Sequence, residues 1–120
     1  MPRERPSARA LTERVRLARR IETNPDHPLD LGNTRSAWVD QGMVAAEFIH
    51  LRGGEAVIAG RLQGRHSQII RVRASSLTRE VATDWQVTDA RTGVEYAVRD
   101  VTLTVDRAWV EMLVETGAAA

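Results

Sequence analysis

The stretch WQVTDARTGVEYAVRDVTLTV, residues 85–105, decides the fold class of this chain of 120 residues. Apolar and polar residues alternate on both sides of the tetrapeptide at 90–93, which is the pattern of two antiparallel strands joined by a short turn. Apolar residues then occupy even positions up to Val98 and odd positions from Val101 onward. Because a one-residue shift moves side chains to the other face of a sheet, we predict a bulge near Arg99 and Asp100.

Four further segments predict strands on either side of this hairpin. Residues 11–22 carry apolar side chains with a period of two, although a helical spacing also fits part of this segment. Residues 36–50 read as a strand interrupted at Gly42, and residues 68–74 alternate between apolar and arginine side chains. Residues 108–115 are apolar on both faces except at the glutamates. Such a strand is covered on both sides or lies against another subunit.

The rest of the chain is predicted to form loops and one helix. Residues 23–35 are rich in turn formers and residues 75–83 are polar, so both are predicted loops. Residues 54–63 fit a short helix, which Gly60 weakens. We therefore predict a mainly β protein, a small antiparallel β-barrel or sandwich of about six strands with one short α-helix. We expect a flexible basic N-terminal arm at 1–10, a single domain at 11–115 and a disordered tail at 116–120.

The composition excludes several classes of protein. The chain contains no Cys, so it has no disulfides, no thiolate metal ligands and no thiol nucleophile. It also has no apolar run near the roughly 20 residues of a membrane helix, and its basic N-terminus is not followed by the apolar core of a secretory signal. We expect a protein of a reducing cytoplasm, or of a particle assembled there, without a membrane partner.

Charge is distributed unevenly along the chain. The net charge is +1, yet residues 1–20 hold seven arginines against two glutamates, and the remainder is mildly acidic. A basic N-terminal segment favours an anionic partner, either a neighbouring subunit or nucleic acid, although a solvated tail has the same composition. Arg71 and Arg73 share one face of a predicted strand, where they would contact DNA phosphate or simply face solvent.

The sequence offers no set of residues for catalysis or metal binding. Asp26, His27 and Asp30 form an acidic and histidine cluster, but they lie in a proline-rich loop and fit ordinary turn chemistry. The glycine pair before Glu55 opens the predicted helix, and the glutamate there would repel a phosphate. No nucleophile motif or phosphate-binding loop occurs. We predict that the protein is not an enzyme and binds no metal or cofactor.

Eight short motifs follow one another along the chain in a characteristic order. They are Leu11–Val15, Trp38, Ala46–Phe48, Gly54–Gln63, Ile70–Val72, Trp85–Val87, Tyr96–Val98 and Arg107–Leu113. This series resembles the phage head–tail joining protein family, the head-closure or stopper components of long-tailed phages and of phage-like gene transfer agents. Many members have Trp where this chain has Ala45, and Arg before the strand that begins near Trp85.

The resemblance implies a structural subunit in the neck of a virion or phage-like particle, assembled in the bacterial cytoplasm. Such subunits form a homo-oligomeric ring, typically of six or twelve copies, below the portal and adaptor and above the tail proteins, with DNA passing through the lumen. No bond is made or broken in this role. The alternative is a small β-barrel that binds nucleic acid directly through its arginine-rich surface.

The resemblance and the residue pattern together assign predicted roles to individual side chains. The predicted subunit or partner contacts are Arg3, Arg5, Arg9, Trp109 and Leu113. The segment that faces the channel and retains DNA would include His50, Arg52, Gly53, Gly54, Glu55, Arg61 and Gln63. Arg71 and Arg73 are the predicted phosphate contacts.

Overall fold

Six strands and two short 3-10 turns make up the described part of the chain. The computed structural model describes residues 8–23, 35–50 and 66–116. The strands are β1 (Glu13–Thr23), β2 (Arg35–His50), β3 (His66–Arg73), β4 (Trp85–Asp89), β5 (Glu95–Leu103) and β6 (Trp109–Thr116). The 3-10 turns are Ala8–Ala10 and Thr78–Glu80. The predicted helix at 54–63 lies outside the described residues, as does most of the predicted loop at 23–35.

The strands form a closed antiparallel barrel with the order β1-β2-β3-β6-β5-β4. β4 pairs with β1 from Trp85 to Asp89 and thereby closes the sheet on itself. The prediction of a small, mainly β fold with about six strands is confirmed. Closure also settles the choice between barrel and sandwich, which alternation along single strands leaves open.

The hairpin that decides the fold class lies where the sequence predicts it. β4 ends at Asp89, whose backbone exchanges hydrogen bonds with Gly93 and Val94 across the turn. The Asp89 carboxylate accepts a hydrogen bond of 2.9 Å from the Arg91 amide, so this buried aspartate is used to shape the turn.

The predicted bulge in β5 is confirmed. The pairing with β6 passes from Val98 opposite Val114 directly to Asp100 opposite Leu113, which leaves Arg99 as the extra residue. Tyr96 and Val98 before the bulge are buried, and Val101 after it packs against the same core. The bulge therefore corrects the change of apolar phase that the sequence shows at this point.

The predicted interruption at Gly42 is a second bulge. Leu17 pairs with Gly42 and Ala18 with Asp40, so Gln41 is the extra residue of β2. Beyond this point, β1 and β2 continue past their other neighbours, because β4 reaches only to Arg19 and β3 only to Ala46. Residues 20–23 and 35–38 thus form a two-stranded segment, which we call the β1–β2 extension.

The core fills the barrel interior with side chains from all six strands. Its largest fully buried members are Leu17, Ile70 and Met112, surrounded by valines, and Trp85 and Tyr96 complete it towards the two ends. Thr78 is buried between strands, where its hydroxyl donates to the carbonyl of Arg73 at 2.7 Å. The interior is therefore a packed apolar core.

Replacing Gly42 by alanine is expected to lower the free energy of unfolding by about 1–3 kcal/mol. Gly42 has φ +137°, which side-chain-bearing residues rarely adopt, and an added Cβ would lie 3.2 Å from Leu77 Cδ2. Gly93→Ala is the matched control, because its φ of +78° is also positive but an added Cβ meets nothing within 4 Å. Denaturant unfolding that gave the two variants equal losses would contradict a packed bulge at Gly42.

Candidate functional site: the outer walls of the barrel

Closure of the barrel places two strand pairs on opposite sides. In the order β1-β2-β3-β6-β5-β4, the pair β1–β2 is separated from the pair β6–β5 by β3 on one side and by β4 on the other. Outward side chains of the two pairs therefore point in opposite directions. A subunit of a closed ring needs two surfaces with this relation, because each copy contacts one neighbour on either side.

The outer side of β1 and β2 carries arginines and two exposed apolar side chains. Leu17 is buried and opposite Gly42, so the adjacent pair Arg16 and Met43 points outward. We call six of the outward residues the basic wall; they are Arg14, Arg16, Arg20, Trp38, Asp40 and Met43. Trp38 is 49% exposed and Met43 is 42% exposed. Tryptophan and methionine side chains are enriched in the contact surfaces of proteins.

Asp40 keeps its negative charge within the basic wall. The amide of Gly42 donates to the Asp40 carboxylate at 2.9 Å, and this bond lowers the pKa of Asp40, as does the ion pair with Arg16. The bulge that exposes the Gly42 amide thus also fixes the carboxylate that orients Arg16. Arg14 is exposed and has no such acidic partner among the described residues.

The outer side of β5 and β6 is acidic. Val110, Met112 and Val114 point into the core, so the residues between them point outward together with their β5 partners. We call these residues the acidic wall; they are Asp100, Thr102, Glu111, Leu113 and Glu115. Arg99, at the bulge, lies 3.9 Å from Glu115. Asp100 is exposed and Leu113 is half-buried, so this wall also combines a charge with an apolar side chain.

Arg71 lies between two carboxylates on the outside of the barrel. Its guanidinium donates to Glu111 at 2.7 and 2.9 Å and is 3.5 Å from Glu47. The Arg71 side chain is only 11% exposed, and it joins β2, β3 and β6 across one face of the sheet. This geometry favours a structural role, because a partly buried guanidinium that donates twice to one carboxylate and lies near a second is already satisfied. Contact of Arg71 with phosphate stays a prediction.

Arg73 and Trp109 are opposite each other at the end of β3 and the start of β6. The Arg73 guanidinium carbon lies 5.8 Å from the Trp109 ring centroid, within the range of a cation–π interaction, while the arginine remains exposed. Trp109 is buried within its own subunit, outside the main core cluster. Its contact with a neighbour, and that of Arg73 with phosphate, stay predictions.

The two strands that flank the predicted channel segment have neighbouring ends at one end of the barrel. His50, exposed, is the last residue of β2, and His66 is the first of β3, its antiparallel neighbour. Arg52, Gly53, Gly54, Glu55, Arg61 and Gln63 lie outside the described residues. The two strand ends fix both ends of the connecting segment on the same side of the molecule.

A cleft of about 420 Å³ lies at this end of the barrel, lined by residues that include His50, Gln68 and Tyr96. Burial raises the pKa of the Tyr96 phenol, and the Asp89 carboxylate adds to this effect while Gln68 opposes it. The side-chain oxygen of Gln68 is buried without a hydrogen-bond partner in the described structure. Sequence reasoning missed this polar group, because glutamine at an inward position carries no distinctive pattern.

The remaining predicted residues are placed as follows. Arg9 lies exposed in the first 3-10 turn, where it is engaged with other groups of the chain. Arg3 and Arg5 lie outside the described residues. Within residues 8–23, 35–50 and 66–116, no three His, Asp or Glu side chains come together as a metal site. The helices of the described structure are too short to cross a membrane.

The order of strands and the two walls define the fold. Comparison with known proteins identifies the family. The sequence matches the profile of the phage head completion protein family over residues 6–117. The chain belongs to this family. The match extends across all six strands and both walls, so the assignment applies to the barrel as a whole. The predicted resemblance to head–tail joining proteins is confirmed.

Two solved structures share the fold. The solution structure of protein SF1141 from Shigella flexneri 2a superimposes with a TM-score of 0.69 at 16% identity, covering 92% of this chain and 96% of the other. A chain from the virion of a native gene transfer agent particle gives a TM-score of 0.61 at 16% identity, covering 91% and 96%. No curated protein matches the sequence.

Membership of the head completion family indicates a structural role in a phage or phage-like particle rather than a catalytic one. The outer walls agree with this class, because they combine charged side chains with exposed or half-buried apolar ones, as contact surfaces between proteins do. The functional parts of this head completion protein are therefore its outer surfaces.

Proposed function

We propose that this protein is a head–tail connector subunit, a stopper or head-completion component that joins the DNA-filled capsid to the tail. Copies of the chain form a ring of six or twelve subunits, with the portal and adaptor on one side and tail proteins on the other. The particle is assembled in the bacterial cytoplasm. The observation that carries this proposal is the family match across the whole barrel.

The barrel supports a mechanical role. A closed sheet with a packed core is a rigid unit, and its outer walls remain available for contacts that differ on each side. The gene transfer agent virion contains a chain with the same fold, which supports a place in a particle for this chain as well. The protein would act by holding a lumen of fixed diameter around DNA.

The channel is gated by the segment that connects β2 and β3. β2 ends at His50, opposite Gln68, and residues 51–65 connect this strand to β3, so the segment can be repeated around a ring. The sequence gives this segment one glycine pair, two isolated glycines and three arginines. The glycines allow close approach between copies, and the arginines allow contact with a phosphate backbone.

Light scattering tests the ring. At the concentration of assembly, we expect a mass of six or more chains, either for the protein alone or after addition of the portal–adaptor complex. A protein that stays monomeric under both conditions would remove the connector proposal. Steep loss of DNA binding by the isolated monomer with rising salt would instead favour the nucleic-acid alternative.

Deletion of residues 53–60 is expected to leave assembly and thermal unfolding unchanged, while filled heads lose their DNA. The deleted residues follow β2 and precede β3, so both strands keep their paired residues. DNA retention is measured by nuclease sensitivity of purified heads. The control is Val94→Glu, a change at the same end of the barrel but in the β4–β5 turn. Full retention in the deletion variant would refute the gate.

A further inference from the structure

The basic and acidic walls differ in charge and lie on opposite sides of one subunit. The basic wall holds three arginines and one aspartate, and the acidic wall holds three carboxylates with Arg99 at its bulge. Arg14 on the basic wall and Asp100 on the acidic wall are both exposed and have opposite signs. Surfaces of this kind attract each other between copies and repel a copy that approaches in the wrong orientation.

Both walls also carry apolar side chains for such a contact. Trp38 and Met43 are large and exposed on the basic wall, and Leu113 stands half-buried among the charges of the acidic wall. Aromatic and methionine side chains are enriched in the centres of protein interfaces. Trp38 lies on the β1–β2 extension, which neither β3 nor β4 flanks, so its ring reaches beyond its own barrel.

We propose that the basic wall of one copy packs against the acidic wall of the next copy in the ring. The inference rests on the proposed connector function and adds the surfaces and the orientation of the contact. The interface is heterologous, because the two walls are different and lie on opposite sides of the barrel. Trp38 and Met43 contact Leu113 and Thr102, and Arg14 faces Asp100.

The ion pair between Arg71 and Glu111 neutralises one carboxylate of the acidic wall within the subunit. Glu111 is bound to Arg71 within the subunit, so this carboxylate does not need a partner from a neighbour. Asp100, by contrast, uses one carboxylate oxygen on the adjacent Val101 amide and remains exposed. Asp100 is therefore the carboxylate that meets the arginines of the next copy.

The test uses two variants that each block one wall. Trp38→Glu removes the aromatic ring from the basic wall and adds a negative charge there. Leu113→Arg removes the leucine side chain from the acidic wall and adds a positive charge there. Light scattering is measured with and without the portal–adaptor complex, under conditions in which the natural protein assembles. We expect each variant alone to remain monomeric. An equimolar mixture should stop at the dimer, because only one intact pair of walls is available.

Val94→Glu is the matched control, since Val94 is similarly exposed but lies on neither wall, and it should assemble like the natural protein. Thermal unfolding checks that each variant is folded, and Met43→Glu with Thr102→Arg provides a second pair. If the natural protein and both wall variants all form rings, the assignment of the walls as the interface is wrong, whereas the proposed connector function still stands. If Leu113→Arg assembles and Trp38→Glu does not, the basic wall contacts itself or another protein, which also overturns the inference. A natural protein that never assembles refutes the ring itself.

Discussion

Replacing Leu17 by alanine is expected to lower the free energy of unfolding by about 2–5 kcal/mol. Leu17 is fully buried near the middle of β1, where it pairs with Gly42 on one side and Val87 on the other. Neighbouring strands are held in register by the closed sheet, so they cannot collapse into the space left by three missing carbons. The loss then includes the cavity as well as the transfer of the side chain from water.

Ile21→Ala is the control for this prediction. Ile21 lies four residues further along the same strand with the same side-chain direction, but it is 42% exposed on the β1–β2 extension. We expect a loss below about 1 kcal/mol for it in the isolated subunit. Denaturant unfolding gives both values. Similar losses for Leu17 and Ile21 would show that the extension belongs to the cooperative core, contrary to the pairing pattern.

Replacing Arg71 by methionine is expected to lower the free energy of unfolding by about 2–3 kcal/mol. The substitution keeps the apolar stem but leaves the carboxylates of Glu47 and Glu111 close together without their shared cation. Both glutamates are about one quarter exposed, so water recovers part of the cost and the loss falls below that of a fully buried pair.

The triple variant Glu47→Gln, Arg71→Met and Glu111→Gln separates the ion pairs from the packing. It removes the repulsion together with the attraction, and we expect its stability to return to within about 1 kcal/mol of the natural protein. Arg73→Met is the comparison for an exposed arginine on the same strand, whose replacement removes a cation–π contact with Trp109 but no ion pair with a carboxylate of the described residues. If Arg71→Met left stability unchanged but reduced the salt dependence of DNA binding, Arg71 would be a phosphate contact.

The local part of the fold was predictable because it is encoded by neighbouring residues. The change of apolar phase between Val98 and Val101 requires a bulge wherever the strand is placed, and Gly42 marks the other bulge by its conformational range. Closure of the barrel was not predictable in this way. It depends on the pairing of β1 with β4, whose residues lie about 70 positions apart in sequence and carry no signal of one another.

The surfaces were predictable only in part for the same reason. Alternation shows that Arg71 points away from the core, but its partners Glu47 and Glu111 lie 24 and 40 residues away along the chain. Leu113 was predicted as a contact residue and points outward, whereas the exposure of Trp38 follows from the length of β2 relative to β3. Sequence alone predicts which side a residue faces, and the order of strands determines what lies beside it.

β2 pairs with β1 from Arg35 to Ala46 and with β3 from Ala46 to His50, so among the described residues only Ala46 has a strand on both sides. Within the described structure, Arg35–Ala45 pairs with β1 alone, so its other margin has no strand beside it, although side chains engage the Val39 carbonyl and the Gly42 amide there. An unprotected margin of this length is a template for sheet extension. Chains that are synthesised before the other proteins of the particle are therefore prone to pair with one another along this margin. The timing of synthesis then affects how many chains enter the particle.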